Sequence, residues 1–353
     1  MDTLHQQQAR FPHPCYPWVI GAAALLAVTF TAMIGVSASG WVDRPFPGFF
    51  VLVNRVIPSV GLPHWTGSQH GTLYQRTVAS VDGYPISEAA DVYRQVGQQP
   101  VGSPVTYELR HGSATETVAI PSSIFTRLDY CTVFGTYLWT GLLYLIVGLL
   151  GMWFFPGTHL AHALLVVGSA GGIYGLSGVG IYGPTFHIRV HALAEAFLPA
   201  AFAYLALVFP RERQALTAPL LAAALTLSLA LTIPYQLLLS QPGAYSTMHA
   251  ASETYLGIVG LTLTARLIVE CATSGATNPL LRSATMGAVL GLAVPAIVML
   301  ISGLSGGSLP VNVLTSTAFL FPLGFGYGIV RDRLSVRVRR DATVADPRTY
   351  QGA

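Results

Sequence analysis

Apolar residues in this chain fall into long runs separated by short polar stretches, and one polar stretch stands out by its length. A helix needs roughly 20 apolar residues to cross the hydrocarbon core of a bilayer. Eight runs come close: 18–38, 131–155, 160–182, 190–209, 215–238, 254–271, 283–303 and 311–330. The sixth is the shortest. Between the first and second runs lies the long polar stretch, Gly40–Asp129. The pattern predicts a polytopic α-helical membrane protein of about eight spans, with one small folded domain inserted after the first.

The periodicity inside the polar block changes from apolar runs to alternation. Thr77–Val81 alternates like a short strand, and Asp82-Gly83 is a turn signal before Tyr84-Pro85-Ile86. Ser87 is placed to cap a helix through about Val96, whose apolar face is Ala90, Val92, Tyr93 and Val96. After the Pro100–Pro104 loop, Val105–Leu109 and Thr115–Ile120 alternate on either side of His111-Gly112-Ser113, a β-hairpin pattern. Strand, turn, helix and hairpin make an α+β domain.

Composition supports the membrane reading. Charged residues are 9% of the chain and mean hydropathy is +0.55, against about 25% charged residues in an ordinary soluble domain. All 18 basic residues are arginine, and the net charge of +3 gives no support to nucleic-acid binding. The three cysteines, Cys15, Cys131 and Cys271, are too scattered for a disulfide scaffold or a CxxC site.

Arginine placement sets the orientation. With eight spans, Arg10, Arg211, Arg213, Arg282 and the cluster Arg331, Arg333, Arg337, Arg339 and Arg340 all fall on one side, which predicts the cytoplasm. The short loops of the other side, around Gly183–His187, Gln241–Ser252 and Gly303–Pro310, carry no arginine. The first run reads as an uncleaved signal anchor; small residues over Val36–Gly40 leave cleavage there as the alternative. The chain thus divides into a cytoplasmic N-terminus (1–17), a first transmembrane helix (18–38), an extracytoplasmic domain (40–129), a seven-helix bundle (130–330) and a basic cytoplasmic tail (331–353).

Two resemblances add to this. The segments Val78–Ile86, Pro100–Ser103 and Val105–Gly112 resemble the second half of a bacterial PDZ domain, with its V-x-G-x-P strand end, helix, P-x-G strand and R-x-G hairpin. The likeness implies a PDZ-like fold that binds a peptide C-terminus through a glycine-containing carboxylate loop, with the peptide added as a strand. Such a loop would fall in Pro47-Gly48-Phe49-Phe50 or Trp65-Thr66-Gly67, so the candidate ligand-binding residues are Phe49, Phe50, Trp65 and Gly67. Neither segment reproduces the family's G-L-G-F pattern. Leu205–Arg213 and Phe325–Leu334, with their Phe-Pro-x-x-Arg and Tyr-x-Ile-x-Arg-x-Arg-Leu edges, resemble the sensor half of multi-span bacterial histidine kinases, some of which insert a PDZ-like domain after the first span.

That resemblance implies an inner-membrane sensor that binds an extracytoplasmic peptide or protein and relays the event to a separate cytoplasmic signalling protein. It ends at Leu334; only Ser335–Ala353 remain, so kinase activity is not expected of this chain, and the role expected is non-enzymatic. Membrane lipid is the other partner, and no cofactor is called for.

Two patterns carry potential chemistry. His187, His191 and Glu195 recur at i, i+4 and i+8, one face of the fourth span. Such groups form a metal or proton site, or sit at the interface with Glu195 paired to a nearby donor; the metal is undetermined. Gly175-Leu176-Ser177-Gly178 matches the GxSG of rhomboid-type proteases, but His249, the later histidine, is expected in the loop before the sixth span. The helix-packing use of Gly168, Gly171, Gly172, Gly175 and Gly178 is the plainer reading. The alternatives to a sensor are therefore an intramembrane hydrolase and a transporter or scaffold.

Overall fold

A computed structural model describes residues 16–71, 73–182, 185–212, 214–274, 278–312 and 315–345. The segment 1–15 and the end of the tail, 346–353, lie outside it, and with them Arg10, Cys15 and Arg213.

The first helix, α1 (Tyr16–Ala38), is apolar on all faces and largely exposed, as a lipid-facing helix should be. A 3-10 turn leads into a small sheet region. Strands β2 (Thr77–Val81), β3 (Tyr84–Pro85), β4 (Pro104–His111) and β5 (Ala114–Pro121) form an antiparallel sheet in the order β3-β2-β4-β5. Helix α2 (Ala89–Gly97) lies on it. A second, two-stranded sheet joins β1 (Pro45–Phe46) to β6 (Ser123–Ile124).

The sequence patterns explain these elements. Asp82 and Gly83 both have positive φ, as a two-residue hairpin loop with the strand-compatible twist requires, and Val81 pairs with Tyr84 across them. Val105, Tyr107 and Leu109 alternate inward on β4 and meet Ala89, Val92 and Val96 of α2, with Phe49, Val51 and Ile57 closing the core. The helix cap differs from expectation by one residue: Glu88 is the N-cap. The Asp91 carboxylate closes the first turn by accepting from the Ser87 hydroxyl (2.7 Å) and from the Ser87 and Glu88 amides (3.1 Å each).

These hydrogen bonds, the Ser87 hydroxyl first, hold the Asp91 carboxyl below its ordinary range. A depressed acid contributes stability that is complete above its unfolded value of about 3.9 and is lost as pH falls through the folded value. Asp91→Asn is expected to cost about 1 kcal/mol, the worth of a helix cap. It should also flatten the acid dependence of α2 backbone chemical shifts, which NMR at pH 7 and below pH 4 would register. Unchanged shifts and unchanged acid dependence would show that the cap contributes nothing.

The remaining helices are α3 (Arg127–Phe154), α4 (His159–Gly180), α5 (Thr185–Val208), α6 (Gln214–Leu237), α7 (Pro242–Thr273), α8 (Pro279–Leu304) and α9 (Leu320–Ala345). Among the described residues, seven helices, α1 and α3–α8, are long and apolar enough to cross a membrane. The eighth predicted span, 311–330, differs. Residues 311 and 312 are not helical, a 3-10 turn covers Ser316–Phe319, and α9 begins only at Leu320. Its apolar stretch ends at Val330, too short for the same measure. Even so, α9 runs the length of the bundle. Asn312 before it binds the Gly61 amide at one end, and Arg333 donates to the Phe154 carbonyl (2.6 Å) at the other.

Glycine brings the helices close. A Cβ on Gly168 would lie 2.8 Å from the Gly148 Cα, and one on Gly175 would lie 2.9 Å from the Gly141 Cα, so α3 and α4 pack backbone to backbone. The expected packing role of these glycines is what the structure shows. The central core adds Leu198, Phe202 and Leu205 of α5, Leu256 and Leu263 of α7, and Phe321, Phe325 and Ile329 of α9.

Candidate functional site

The α+β block is bedded on one end of the bundle. Phe46, Phe50, Leu52, Val56, Leu62 and Trp65 of the block share one apolar cluster with Val179, Tyr182, Ile188, Tyr235 and Tyr245 of the bundle. Phe50 is its hub. The ring stacks on Tyr182 at 4.0 Å between centroids and meets Trp65 edge-on at 5.3 Å. Polar links tie down the loops around it. Asn54 donates to the Leu239 carbonyl (2.9 Å), Gly61 to Asn312 (3.0 Å), and Trp65 Nε1 to the Asp129 carboxylate (2.9 Å) at the start of α3.

This packing places the four candidate ligand-binding residues inside the protein. Phe49, Phe50 and Trp65 are at most 2% exposed. Gly67 is where the chain passes Gly48: a Cβ there would lie 2.5 Å from the Gly48 oxygen and 2.9 Å from the Phe49 ring. The structure brings the four together, but as core, with no face on an open groove.

The open groove lies beside them. It encloses about 760 Å³ between α2 and the end of α1; Trp41, Arg44, Pro45, Ala90, Tyr93 and Arg94 are among its walls. Ser37, Gly40 and Tyr182 also reach it, so the ends of two membrane-spanning helices, α1 and α4, contribute directly. Trp41 packs edge-on against both Tyr93 (4.9 Å) and Phe50 (5.5 Å), which connects the groove wall to the hub. The Tyr93 hydroxyl accepts from the Val51 amide (2.8 Å) and donates to the Val51 carbonyl (3.3 Å). Burial raises the pKa of that hydroxyl, which keeps it neutral and able to do both. The Val51 backbone is therefore already satisfied and offers no edge for an added strand.

A second assembly lies beneath, inside the bundle. Glu195 of α5 is 1% exposed; it accepts from Tyr235 of α6 (3.0 Å) and lies 2.8 Å from His249 Nδ1 of α7. His249 Nε2 is 3.5 Å from Glu253, one turn further along α7. Tyr245 stacks near-parallel to His249 at 5.8 Å and touches Tyr235 at 5.6 Å. Carboxylate, imidazole and carboxylate thus run in a line from one helix to another, with two tyrosines between them and the hub.

Of the predicted polar face, Glu195 belongs to this line. His191 is buried one turn away, its ring stacked on Tyr174 at 4.5 Å. His187 sits at the helix entry against Gly180. Among the described residues, no three His, Cys, Asp or Glu side chains are arranged to hold a metal ion.

The sequence reading places His249 in a loop and does not single out Glu253, because α7 begins at Pro242, twelve residues before the predicted span. That puts the supposed loop histidine within the helix. Proline at the first helical position and the i, i+4 spacing of His249 and Glu253 were the available signals.

Ser177 meets a different histidine from the one considered. Its Oγ lies 3.1 Å from His191 Nδ1, but Nδ1 is also 3.1 Å from the Tyr174 carbonyl, which only accepts. Nδ1 therefore carries the hydrogen and cannot take a proton from the serine, whose own hydroxyl donates to the Ile173 carbonyl (2.5 Å). The arrangement lacks a general base for a nucleophilic Ser177.

The opposite end of the bundle collects arginines. Arg266 donates to the Arg211 carbonyl (2.8 Å), Arg211 Nε lies 3.9 Å from Glu270, and the Arg333 guanidinium covers the Phe155 ring at 4.4 Å. No protein-family model matches this chain, nor does any curated protein or solved structure.

Proposed function

We propose that this chain is a membrane sensor whose PDZ-like extracytoplasmic domain takes a ligand in the groove beside α2, and whose helical bundle relays the event to a separate cytoplasmic partner. The observation that carries this reading is the shared wall: one groove is lined by α2 of the domain, by the end of α1 and by Tyr182 at the end of α4. An occupant that changes that wall acts on helix packing through Trp41, Phe50 and Tyr182. Arginines gathered at the other end of the bundle favour that end as cytoplasmic, which puts the α+β block outside and the second half of α9 on the partner's side. The resemblance implies an extended peptide as the ligand class. With the Val51 backbone already bonded to Tyr93, groove side chains would hold it in place of strand addition.

The test uses the full chain in lipid nanodiscs. Ala90→Trp places an indole in the groove as a fixed occupant, and hydrogen exchange is read over the whole chain. The expected result is altered exchange in the first turns of α9 as well as in α2, with no change for Arg110→Ser on the far hairpin. Changes confined to the α+β block would refute the relay.

A further inference from the structure

A partly open chamber lies among α3, α4, α5, α7, α8 and the segment that leads into α9, apart from the groove. The volume open to the centre of a water molecule is about 90 Å³, room for roughly six to nine waters or a ligand with a similar number of heavy atoms. Its walls are predominantly apolar, with Leu198, Phe202 and Met299 among them, and no charged side chain lines it. An ionic occupant would lose its hydration without a counter-charge. The chamber suits a neutral molecule.

Two features set it apart from a packing defect. Tyr137, Tyr144 and Tyr174 all line it, and none of their hydroxyls has a hydrogen-bond partner among the described residues. A buried tyrosine hydroxyl ordinarily finds one. Three on a single chamber amount to a set of donors with nothing to donate to. In addition, α3 and α8 each carry a π turn, at Cys131–Gly135 and Val289–Ala293, and each π turn contributes a wall residue, Val133 and Leu292. Single π turns inside α-helices occur mostly at functional sites.

We propose that this chamber binds a small, uncharged, mainly apolar molecule carrying an acceptor oxygen, such as a cyclic ketone, which takes hydrogen bonds from tyrosines of its wall. Tyr174 also stacks on His191, so an occupant touches a ring next to the buried polar line. The inference is independent of the groove.

The full chain in nanodiscs is titrated calorimetrically with cyclohexanone and with methylenecyclohexane, a molecule of the same size without the oxygen. Empty nanodiscs give the partition baseline. Cyclohexanone is expected to bind saturably and at least tenfold more tightly than the hydrocarbon, and cyclohexanecarboxylate is expected not to bind. The triple substitution Tyr137→Phe, Tyr144→Phe and Tyr174→Phe keeps the shape and should bring the ratio towards one. Leu198→Trp fills the space and should abolish saturable binding of both. Absence of saturable cyclohexanone binding overturns the proposal. So does equal affinity for the two probes, or a preference that survives the triple substitution.

Discussion

Replacing Glu195 with alanine is expected to destabilise the bundle by about 3–5 kcal/mol, the usual cost of removing one partner from a buried ion pair. Glu195 is the common acceptor for Tyr235 and His249. Its loss leaves a phenol and an imidazole buried without it and leaves Glu253 as the sole carboxyl facing His249. Glu195→Gln keeps an acceptor for Tyr235 and should cost less. Reversible unfolding in mixed micelles would compare the two with the unaltered chain. A loss below about 1 kcal/mol for the alanine variant would mean that the line of groups is not a coupled unit, on the scale of an exposed pair.

Phe50→Ala should cost a similar amount, about 3–5 kcal/mol for a fully buried phenylalanine, and its effect should be spatially distinctive. The ring is the hub on which Trp41, Phe46, Trp65, Phe125, Phe134 and Tyr182 converge. The void opens at the seam between the α+β block and the bundle. Limited proteolysis should therefore speed up first in the block's loops, around residues 54–71, while α3–α8 remain protected. Tyr84→Ala, at an exposed position on the hairpin tip, is the control and should change little. Uniform loosening of block and bundle, or none, would contradict the idea that Phe50 is the joint.

Together these outcomes bear on how a signal crosses the seam. A domain joined by a flexible linker would register occupancy of its groove and pass on nothing. Here Trp41 is both groove wall and neighbour of Phe50, and the cluster around Phe50 continues to Tyr235 and Tyr245 against Glu195 and His249. That contiguity is a route for coupling; the groove-filling variant measures whether it carries any.

Local pattern accounted for what depends on neighbours in sequence. The apolar runs marked the bundle helices because a spanning helix satisfies its backbone internally and asks only for apolar side chains. The Asp82-Gly83 turn, the hairpin on either side of Gly112, the helix after Ser87 and the glycine face of α4 followed from backbone conformation and side-chain size. Errors arose where segment ends are set by tertiary contacts. Helix α7 extends back to Pro242 because Tyr245 and His249 find partners on α6 and α5. The eighth segment gives up helix over 311–312 because the Val311 amide and the Asn312 side chain are drawn into the block, on Ser59 and Gly61.

The sequence by itself therefore determined that this is a multi-pass helical protein with an α+β insertion after its first span, together with most element positions. Only the tertiary structure decided what those elements enclose. Phe50 and Trp65 went to the core because the bundle end offers apolar surface that a free-standing domain would lack, whereas Phe49 and Gly67 are buried within the block itself. The polar line joined Glu195 to Tyr235 and His249 on the two helices that follow it. A buried carboxylate takes whichever donors the packing brings near, and only the His249–Glu253 step is recorded as a spacing along one helix.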